Sequence, residues 1–335
     1  MALKETHIAL AHGNGGRFMR ELIEELFVTR LRNSLLDTSL DAVTLPTLPT
    51  GMLVVTTDGF TVQPLEFPGG NIGSLAVHGT INDLAVSGAV PYYLTLNVFI
   101  EEGTEIALLE RLIDGMAQAA YDSKVCVVAG DTKVVPRGQA DGVYFATTGF
   151  GVRPQSLQLG MKHIRAGDRI LVSGTVGDHG AAVLLARQEF GFHGALQSDS
   201  ASILDAAQAL CNISGLRFMR DPTRGGLATV ANEIARATSL CVRLREDAIP
   251  ISEPVQSVCE LLGYDPLYLA SEGRLVAVVS AGVADQARVA LRNTGADARL
   301  IGELTDEPAQ VIMQTELGGE RVLEELEEDP LPRIC

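Results

Sequence analysis

Three aspartates in similar settings are the first candidates for chemistry in this 335-residue chain. Asp58 and Asp131 each follow an apolar or β-branched run, and Asp83 interrupts an apolar helical stretch as part of Asn82-Asp83. Sheets place ligands at strand ends, and a carboxylate among apolar residues is costly unless it is paired or binds a metal. Each acid alone is equally explained by a turn or a cap, but together they favour a site for Mg²⁺ and a nucleotide triphosphate.

The five cysteines divide into four of one kind and one of another. An odd number without any CxxC pair fits a reducing compartment and no structural zinc site. Four have apolar neighbours, which predicts core packing: Cys126, Cys211, Cys241 and Cys259. Cys335 ends the chain after an acidic stretch, so we expect an exposed thiol. That environment suits a carrier thiol loaded by another enzyme, and an incidental terminal cysteine is the alternative.

Three glycine-rich loops each precede a helical segment. They are His12-Gly-Asn-Gly-Gly, Gly174-Thr-Val-Gly-Asp-His-Gly and Asp221-Pro-Thr-Arg-Gly-Gly. Backbone N–H groups at such a junction can bind phosphate oxygens, although turns also use glycine. Neither GxxxxGK[ST] nor GxGxxG occurs, so the sequence supports neither a P-loop nor a Rossmann dinucleotide site.

Composition narrows the partners and the compartment. The net charge of −16 and the pI of about 4.8 argue against a general nucleic-acid or anionic-membrane binder. The chain shows no leader segment and no long apolar run, so we expect a cytoplasmic protein without a membrane span. Seven acidic residues and one arginine fall between 316 and 329, which predicts a solvated, extended tail.

These candidate residues must be positioned by alternating strands and helices, so we expect an α/β (α+β) fold. Strands are predicted at 52–57, 92–100, 125–129, 143–150, 169–172, 241–244 and 275–279. Helices are predicted at 17–31, from Asn71 to 87, from Thr104 to 121, at 181–189 and 200–211, and from Gly226 to 237. The pattern breaks near 151–159. We therefore predict domains at 1–152 and 153–315 and a flexible acidic tail at 316–335.

Eight motifs, spread nearly from end to end, together carry a family resemblance. They are Ala11-His-Gly-Asn-Gly-Gly, Phe67-Pro-Gly-Gly-Asn-Ile-Gly, Asn82-Asp-Leu-Ala-Val-Ser-Gly-Ala, Ala129-Gly-Asp-Thr-Lys-Val-Val, Gly177-Asp-His-Gly, Arg220-Asp-Pro-Thr-Arg-Gly-Gly, Ser271-Glu-Gly-Arg-Leu and Pro332-Arg-Ile-Cys. The chain resembles the HypE family, the carbamoyl dehydratases of hydrogenase maturation. That family lies within the PurM-like ATP-binding superfamily typified by aminoimidazole ribonucleotide synthetase. The terminal motif is the most specific of the eight.

The resemblance implies a fold and a reaction. It implies a two-domain PurM-like fold whose N-terminal domains pair into a β-barrel across a homodimer. A HypF-type carbamoyltransferase would load Cys335, and this protein would use ATP and Mg²⁺ to dehydrate the thiocarboxamide to a thiocyanate. The cyanide would then pass to iron in a HypC–HypD-type complex and become a ligand in [NiFe] hydrogenase.

The resemblance also implies roles for individual residues. Magnesium and the phosphates would be held by Asp58, Asp83 and Asp131, with Asn82 nearby and the loop of Gly15 and Gly16 closing over them. Lys133 would stabilise charge on the phosphorylated oxygen, and Glu272 would bind the amide nitrogen or accept its proton. For Lys133 and Glu272 a surface salt bridge is the alternative.

Two other functions remain open at this point. One is a non-catalytic carrier or docking protein whose tail delivers a thiol adduct. The other is a PurM-like, ATP-dependent enzyme that acts on a free small molecule and has an incidental terminal cysteine. The acids and glycine loops argue against a carrier, because a carrier does not need them.

Overall fold

A computed structural model describes residues 5–187, 196–328 and 331–335 of the chain. Its strands are β1 Met52–Phe60, β2 Glu66–Phe67, β3 Gly70–Asn71, β4 Val90–Glu101, β5 Cys126–Val135, β6 Val143–Arg153, β7 Arg169–Val172, β8 Leu216–Arg220, β9 Cys241–Arg245, β10 Val276–Val279, β11 Arg299–Thr305, β12 Val311–Gln314 and β13 Glu320–Val322. Its α-helices are α1 Arg17–Leu22, α2 Ile72–Val86, α3 Ile106–Asp122, α4 Asp178–Arg187, α5 Leu204–Cys211, α6 Gly226–Thr238, α7 Glu253–Leu262 and α8 Ala284–Asn293. A π-helical segment, Ile23–Val28, continues α1.

The N-terminal half is a four-stranded sheet in the order β1-β6-β4-β5, covered on one face by α2 and α3. Phe60 of β1, Leu94 of β4 and Phe145 of β6 alternate onto the covered face and are almost fully buried. Asn71 caps α2, since its Oδ1 accepts from the N–H groups of Gly73 and Ser74 at 2.9 and 3.0 Å. The predicted cap is confirmed, and it fixes where the helix that carries Asp83 begins.

The other face of this sheet has no covering layer among the described residues. Leu53, Val55 and Phe99 point outward there and are exposed. The strands β1 and β5 are the two edges of the sheet, so both keep unpaired backbone groups.

The C-terminal half is a seven-stranded sheet in the order β13-β12-β9-β11-β7-β10-β8. Its strand β10 reads Val276-Ala-Val-Val and is buried throughout, as expected of an interior strand with both faces covered. One core packs α6 against this sheet, and a second packs α5 and α8 against it.

The sequence located most elements correctly but misjudged several ends. The helix expected to start at Thr104 has Glu105 at its N-cap, while the Thr104 hydroxyl donates to the Glu101 carbonyl. The helix expected at 200–211 begins at Leu204. The last two residues of the helix expected at 181–189 lie outside the described residues. The sequence did not predict β8, β11, β12, α7 or α8.

The strand ends near two of the candidate aspartates were also wrong. Both β1 and β5 continue past Asp58 and Asp131, so these acids lie within strands rather than after them. The polar residue in each strand was mistaken for its end, because one side of an edge strand can face solvent.

The acidic tail differs from the solvated arm that its composition predicts. Residues Glu320–Val322 form β13 against β12, Leu323 is only 1% exposed, and Arg236 pairs with Glu325 at 2.8 Å. Glu320 and Glu325 have arginine partners on the C-terminal half, and the apolar Leu323 between them anchors the segment. In the part of the chain that the structure describes, no helix has the length and apolar character to cross a membrane.

Candidate active site

A cavity of about 670 Å³ lies between the two halves. Its polar lining includes Asp58 on β1, Asp83 on α2, Asp221 after β8, Glu272 before β10, Arg224 before α6 and the terminal Cys335. The volume is typical of a ligand site, and the charged groups come from five different parts of the chain.

Three aspartates give one side of the cavity a concentration of negative charge. The Thr56 hydroxyl donates to Asp83 Oδ2 at 2.7 Å, yet burial raises the pKa of Asp83. Burial, together with the nearby charge of Asp83, raises the pKa of Asp221 to about 7. Charges that repel in this way are relieved by a bound cation.

The fit of these acids to Mg²⁺ depends on phosphate as well. Within the described residues, no three acidic, histidine or cysteine side chains converge closely enough to hold a metal by themselves. Mg²⁺ usually binds through one or two carboxylates together with waters and substrate phosphates. Asp58 and Asp83 fit that use, and Asp221 adds a third oxygen donor nearby.

Glu272 is the most unusual acid of the cavity. It is only 2% exposed, and its Oε1 has no hydrogen-bond partner among the described residues. Burial raises its pKa well above the ordinary range, and the charges of Asp221 and Asp199 raise it further. Its backbone N–H donates to Asp199 Oδ1 at 3.0 Å, which fixes the loop. When ionised, a carboxylate in this environment is a stronger base than an ordinary one, and its free oxygen can accept a proton from a substrate.

Asn82 has a different role from the one the resemblance implied. It is 1% exposed, its Nδ2 donates to the carbonyls of Ala201 and Glu272 at 2.9 Å, and its Oδ1 accepts from Ile203 N–H. These bonds occupy its amide, so the expectation that it lies beside the nucleotide as a ligand is corrected. Asn82 instead positions the backbone of Glu272.

The end of the chain enters the cavity beside residues 61–63, with a bend at Arg333, whose φ is +59°. Thr61 N–H donates to the Cys335 carbonyl at 3.0 Å, and Gln63 N–H donates to the Arg333 carbonyl at 3.3 Å. The Arg187 guanidinium also contacts the Arg333 carbonyl. Side chains complete the seat, since Ile334 is buried and Arg333 pairs with Asp141 at 2.5 Å.

Cys335 is therefore half-buried rather than exposed, which corrects the expectation from the tail's composition. Burial raises the pKa of its thiol to about 12, and the charge of Glu272 adds to that effect. The charge of Arg224 acts in the opposite direction and lowers the pKa of the thiol. The docked thiol stays protonated at neutral pH and is therefore a weak nucleophile. What the docking provides is a defined position for the sulfur in the cavity.

The remaining predicted residues lie elsewhere. Asp131 and Lys133 are exposed on β5 and pair with each other at 2.7 Å, which lowers the pKa of Asp131. Three strand spacings of about 4.8 Å, or roughly 14 Å, separate β5 from Asp58 on β1. One chain therefore does not bring Asp131 together with Asp58 and Asp83.

The glycine loop accompanies β5 rather than the cavity. A Cβ on Gly13 would lie 2.8 Å from the backbone nitrogen of Val134, so the loop packs closely on that strand. Gly15 has a φ of +76°, and nothing lies within 4 Å of a Cβ on Gly15 or Gly16. Those two residues are thus open to a ligand on the β5 side.

Comparison with known proteins decides the family. Residues 40–153 match the family model of the N-terminal domain of AIR synthase related proteins, and residues 165–314 match that of the C-terminal domain. The carbamoyl dehydratase HypE of Azotobacter vinelandii is 47% identical over 99% of this chain and 98% of its own. The chain belongs to the HypE family. A crystal structure of HypE in complex with ATP superposes with a TM-score of 0.92, at 42% identity, over 98% of this chain and 99% of that one.

The HypE family membership confirms the PurM-like fold class that the motifs implied. A further relative, solved as a HypE–HypF complex, has a TM-score of 0.80 at 40% identity and covers 91% of this chain and 99% of that one. In this member of the HypE family the cavity brings together four of the predicted residues: Asp58, Asp83, Glu272 and Cys335.

Three residues of the site were missed by sequence reasoning. Asp221 and Arg224 stand in a turn that was noted only for its glycines and its family motif. His179 belongs to the second glycine-rich loop, and its Nε2 lies 2.8 Å from the carbonyl oxygen of Ile334, which is 155 positions away. Asp221 and Arg224 flank a Pro-Thr pair, and two charged residues in such a turn could have been recognised as candidates for the site. The partner of His179 could not be predicted from the sequence.

Proposed function

We propose that this chain is an ATP-dependent carbamoyl dehydratase that acts on its own terminal cysteine. One observation carries the proposal: the chain's last residue docks in a cavity that is also lined by Asp58, Asp83 and Glu272, and one carboxyl oxygen of Glu272 has no hydrogen-bond partner among the described residues. A thiol held there presents whatever it carries to a base and to a phosphate-binding surface. The ATP complex of a HypE relative supports ATP as the nucleotide.

The reaction must remove water from a thiocarboxamide. The carbamoyl oxygen attacks the γ-phosphorus of ATP, an O–P bond forms, and the P–O bond to ADP breaks with its electron pair on ADP. The nitrogen loses two protons, the C–O bond breaks with its electrons on phosphate, and the C≡N bond forms. The products are a thiocyanate, ADP and hydrogen phosphate, which carries one of the two protons, and the other proton is released. Phosphorylation is needed because oxide is a poor leaving group.

Residues of the cavity fit these steps. Glu272 accepts a proton from nitrogen, because burial and neighbouring acids raise the proton affinity of its carboxylate. Asp58 and Asp83 hold the phosphate end of the nucleotide through a divalent cation. Mg²⁺, when bound, supplies positive charge that neutralises the triphosphate. The hydrogen bonds that dock the tail fix the position of the sulfur. The carbamoyl oxygen and the γ-phosphorus are therefore held close together before they react.

A second copy of the chain would complete the nucleotide site. The edge strands β1 and β5 are unpaired, and the outer face that carries Leu53, Val55 and Phe99 is apolar and uncovered. If two sheets close into a barrel with β1 of one chain beside β5 of the other, Asp131 and Lys133 of one chain come near Asp58 of the other. The loop of Gly15 and Gly16, which lies along β5, then approaches the same nucleotide.

The partners follow from the chemistry of the tail. A docked thiol is shielded, so the tail must leave its seat to be loaded by a carbamoyltransferase, and the HypE–HypF complex among the relatives supports a HypF-type partner. The thiocyanate must then reach a thiophilic acceptor, for which we propose a HypC–HypD-type iron scaffold in the cytoplasm. Neither a free small molecule nor a plain carrier explains why the chain's own end occupies the cavity.

Mass spectrometry of the loaded protein tests the proposal. The full chain carrying a carbamoyl group on Cys335 is incubated with Mg-ATP, and the C-terminal peptide is expected to lose one water, about 18 Da. Cys335→Ala is expected to bind ATP normally and give no such product. An unchanged peptide mass in the wild-type chain would overturn the proposal.

A further inference from the structure

Arg224 joins the tail to the acids of the cavity. Its guanidinium lies 3.1 Å from Asp58 Oδ1 and lines the same cavity as Cys335, near enough for its charge to act on that thiol. The backbone that presents it is tightly constrained, since Gly225 and Gly226 both have positive φ, of +64° and +59°. A Cβ on Gly226 would lie 2.5 Å from the Leu267 carbonyl oxygen, so no other residue fits that turn.

The other arginines of the cavity are engaged differently. Arg220 pairs with Glu233 at 3.4 Å, and Arg153 donates to the Ser87 carbonyl at 3.3 Å. Of these three arginines, Arg224 is the one whose charge acts on the thiol of Cys335. Its side chain is 70% exposed, so one edge of the guanidinium is held by Asp58 while the rest is available to a ligand.

We propose that Arg224 is a catalytic residue of the dehydration, which binds the carbamoyl oxygen and the phosphoryl group that this oxygen receives. The inference rests on the proposed function. The carbamoyl carbon is bonded to the sulfur of Cys335, which lines the same cavity as Arg224, so its oxygen lies within reach of this guanidinium. Asp58 fixes the plane of the guanidinium and links it to the phosphate-binding side of the cavity.

The role follows from where charge develops. As the oxygen attacks phosphorus, negative charge spreads over the transferring phosphoryl oxygens and onto ADP. A planar guanidinium with five donors can bind the attacking oxygen and a phosphoryl oxygen together, which an ammonium group on a flexible stem does less well. Stabilisation by an arginine of this kind accelerates phosphoryl transfer by about 10³–10⁵-fold in known cases.

The test compares Arg224→Ala and Arg224→Lys with Arg236→Lys as control. Arg236 is similarly exposed, at 65%, and pairs with Glu325 at 2.8 Å away from the cavity. Single-turnover loss of 18 Da from the carbamoylated tail is expected to slow at least about 100-fold in both Arg224 variants. ATP affinity is expected to change less than about threefold, and the control is expected to react like the wild type.

Two further measurements separate catalysis from a merely structural role. Guanidinium ion added at millimolar concentration is expected to restore part of the rate in Arg224→Ala and nothing in Arg224→Lys. In the unloaded protein, Arg224→Ala is expected to raise the pKa of the Cys335 thiol, followed by alkylation against pH, because a favourable charge is lost. Dehydration by Arg224→Ala within threefold of the wild type would overturn the inference. Absence of dehydration in the wild type would instead overturn the proposed function.

Discussion

Nε2 of His179 lies 2.8 Å from the carbonyl oxygen of Ile334, and Nδ1 lies 2.8 Å from the hydroxyl of Ser198. A carbonyl only accepts, so Nε2 carries the proton and Nδ1 accepts from Ser198. Burial lowers the pKa of His179 to about 4, which keeps this neutral tautomer throughout the physiological range. The residue that precedes the thiol is thus held by one imidazole.

Replacing that imidazole is expected to loosen the tail. In His179→Ala the hydrogen bond to Ile334 is lost, and about 1 kcal/mol of docking energy corresponds to roughly five- to tenfold more undocked tail. Alkylation of Cys335 by iodoacetamide, followed on the C-terminal peptide, is expected to accelerate by that factor.

His78→Ala is the matched control for this change. His78 is also largely buried with a pKa lowered to about 4, but its Nδ1 contacts Ser200 and not the tail. Equal alkylation rates in His179→Ala and in the control would contradict the assigned role.

Glu272→Gln is expected to abolish the chemistry while sparing nucleotide binding. The amide keeps the size of the side chain but cannot accept a proton, and loss of a general base typically costs 10²–10⁴-fold. Dehydration of the carbamoylated tail is expected to fall at least about 100-fold, with ATP affinity within threefold. Asp178→Asn removes another buried acid outside the cavity lining and is expected to leave the rate unchanged. A variant with more than a tenth of the wild-type rate would exclude Glu272 as the base.

Asp199 makes stability depend on pH. Burial raises its pKa from 3.8 to about 6, although the charge of Arg274 opposes the shift. The native state holds the proton more tightly than the unfolded chain, so this contribution to stability is complete below pH 3.8 and is lost as pH rises through about 6. The full change is at most about 3 kcal/mol.

Urea unfolding of wild type and Asp199→Asn at pH 4.5 and 7.5 checks this expectation. The variant lacks the titratable group at this position. The free energy of unfolding of the wild type is therefore expected to fall, relative to that of the variant, as the pH rises. Parallel pH dependences of the two proteins would show that Asp199 ionises normally.

The sequence could predict those features of the site that depend on neighbouring residues. It could not predict those that depend on the packing of distant segments. Asp58, Asp83, Glu272 and Cys335 could be selected because carboxylates beside apolar runs and a terminal thiol are unusual, and because motifs carried a family resemblance. Their convergence depends on the packing of the two halves, which no local pattern contains. The helix cap at Asn71 was predictable because a cap depends only on neighbouring backbone.

Misjudged features have equally physical reasons. Asn82 is a polar residue in an apolar helix, and the sequence could not distinguish a ligand from an amide that bonds three backbone groups of two other segments. The tail was predicted to be solvated because the count of its acidic residues took no account of the arginines that pair with two of them. The edge strands looked shorter than they are because one face of each can be polar.

Mixed dimers provide the test of a site shared between two chains. Asp58→Asn and Asp131→Asn are each expected to be inactive alone. When the two are mixed and allowed to exchange subunits, half of the dimers are mixed and each of these has one intact site, so about a quarter of wild-type activity is expected. Analytical ultracentrifugation is expected to show a dimer. The same mixture made with Glu272→Gln in the Asp131→Asn chain is expected to stay inactive. No recovery in the first mixture would mean that Asp131 serves its own chain or serves no site.

The amide of Asn82 ties the helix that carries Asp83 to the loop that carries Glu272, so these two acids belong to one rigid body. When the tail leaves to be loaded, the phosphate-binding side and the base keep their spacing, and only the thiol travels. The cost of bringing repelling carboxylates together is therefore incurred once, when the chain folds. The acids therefore need no reorganisation during a turnover. The part of the cycle that involves motion is the undocking and redocking of the last few residues.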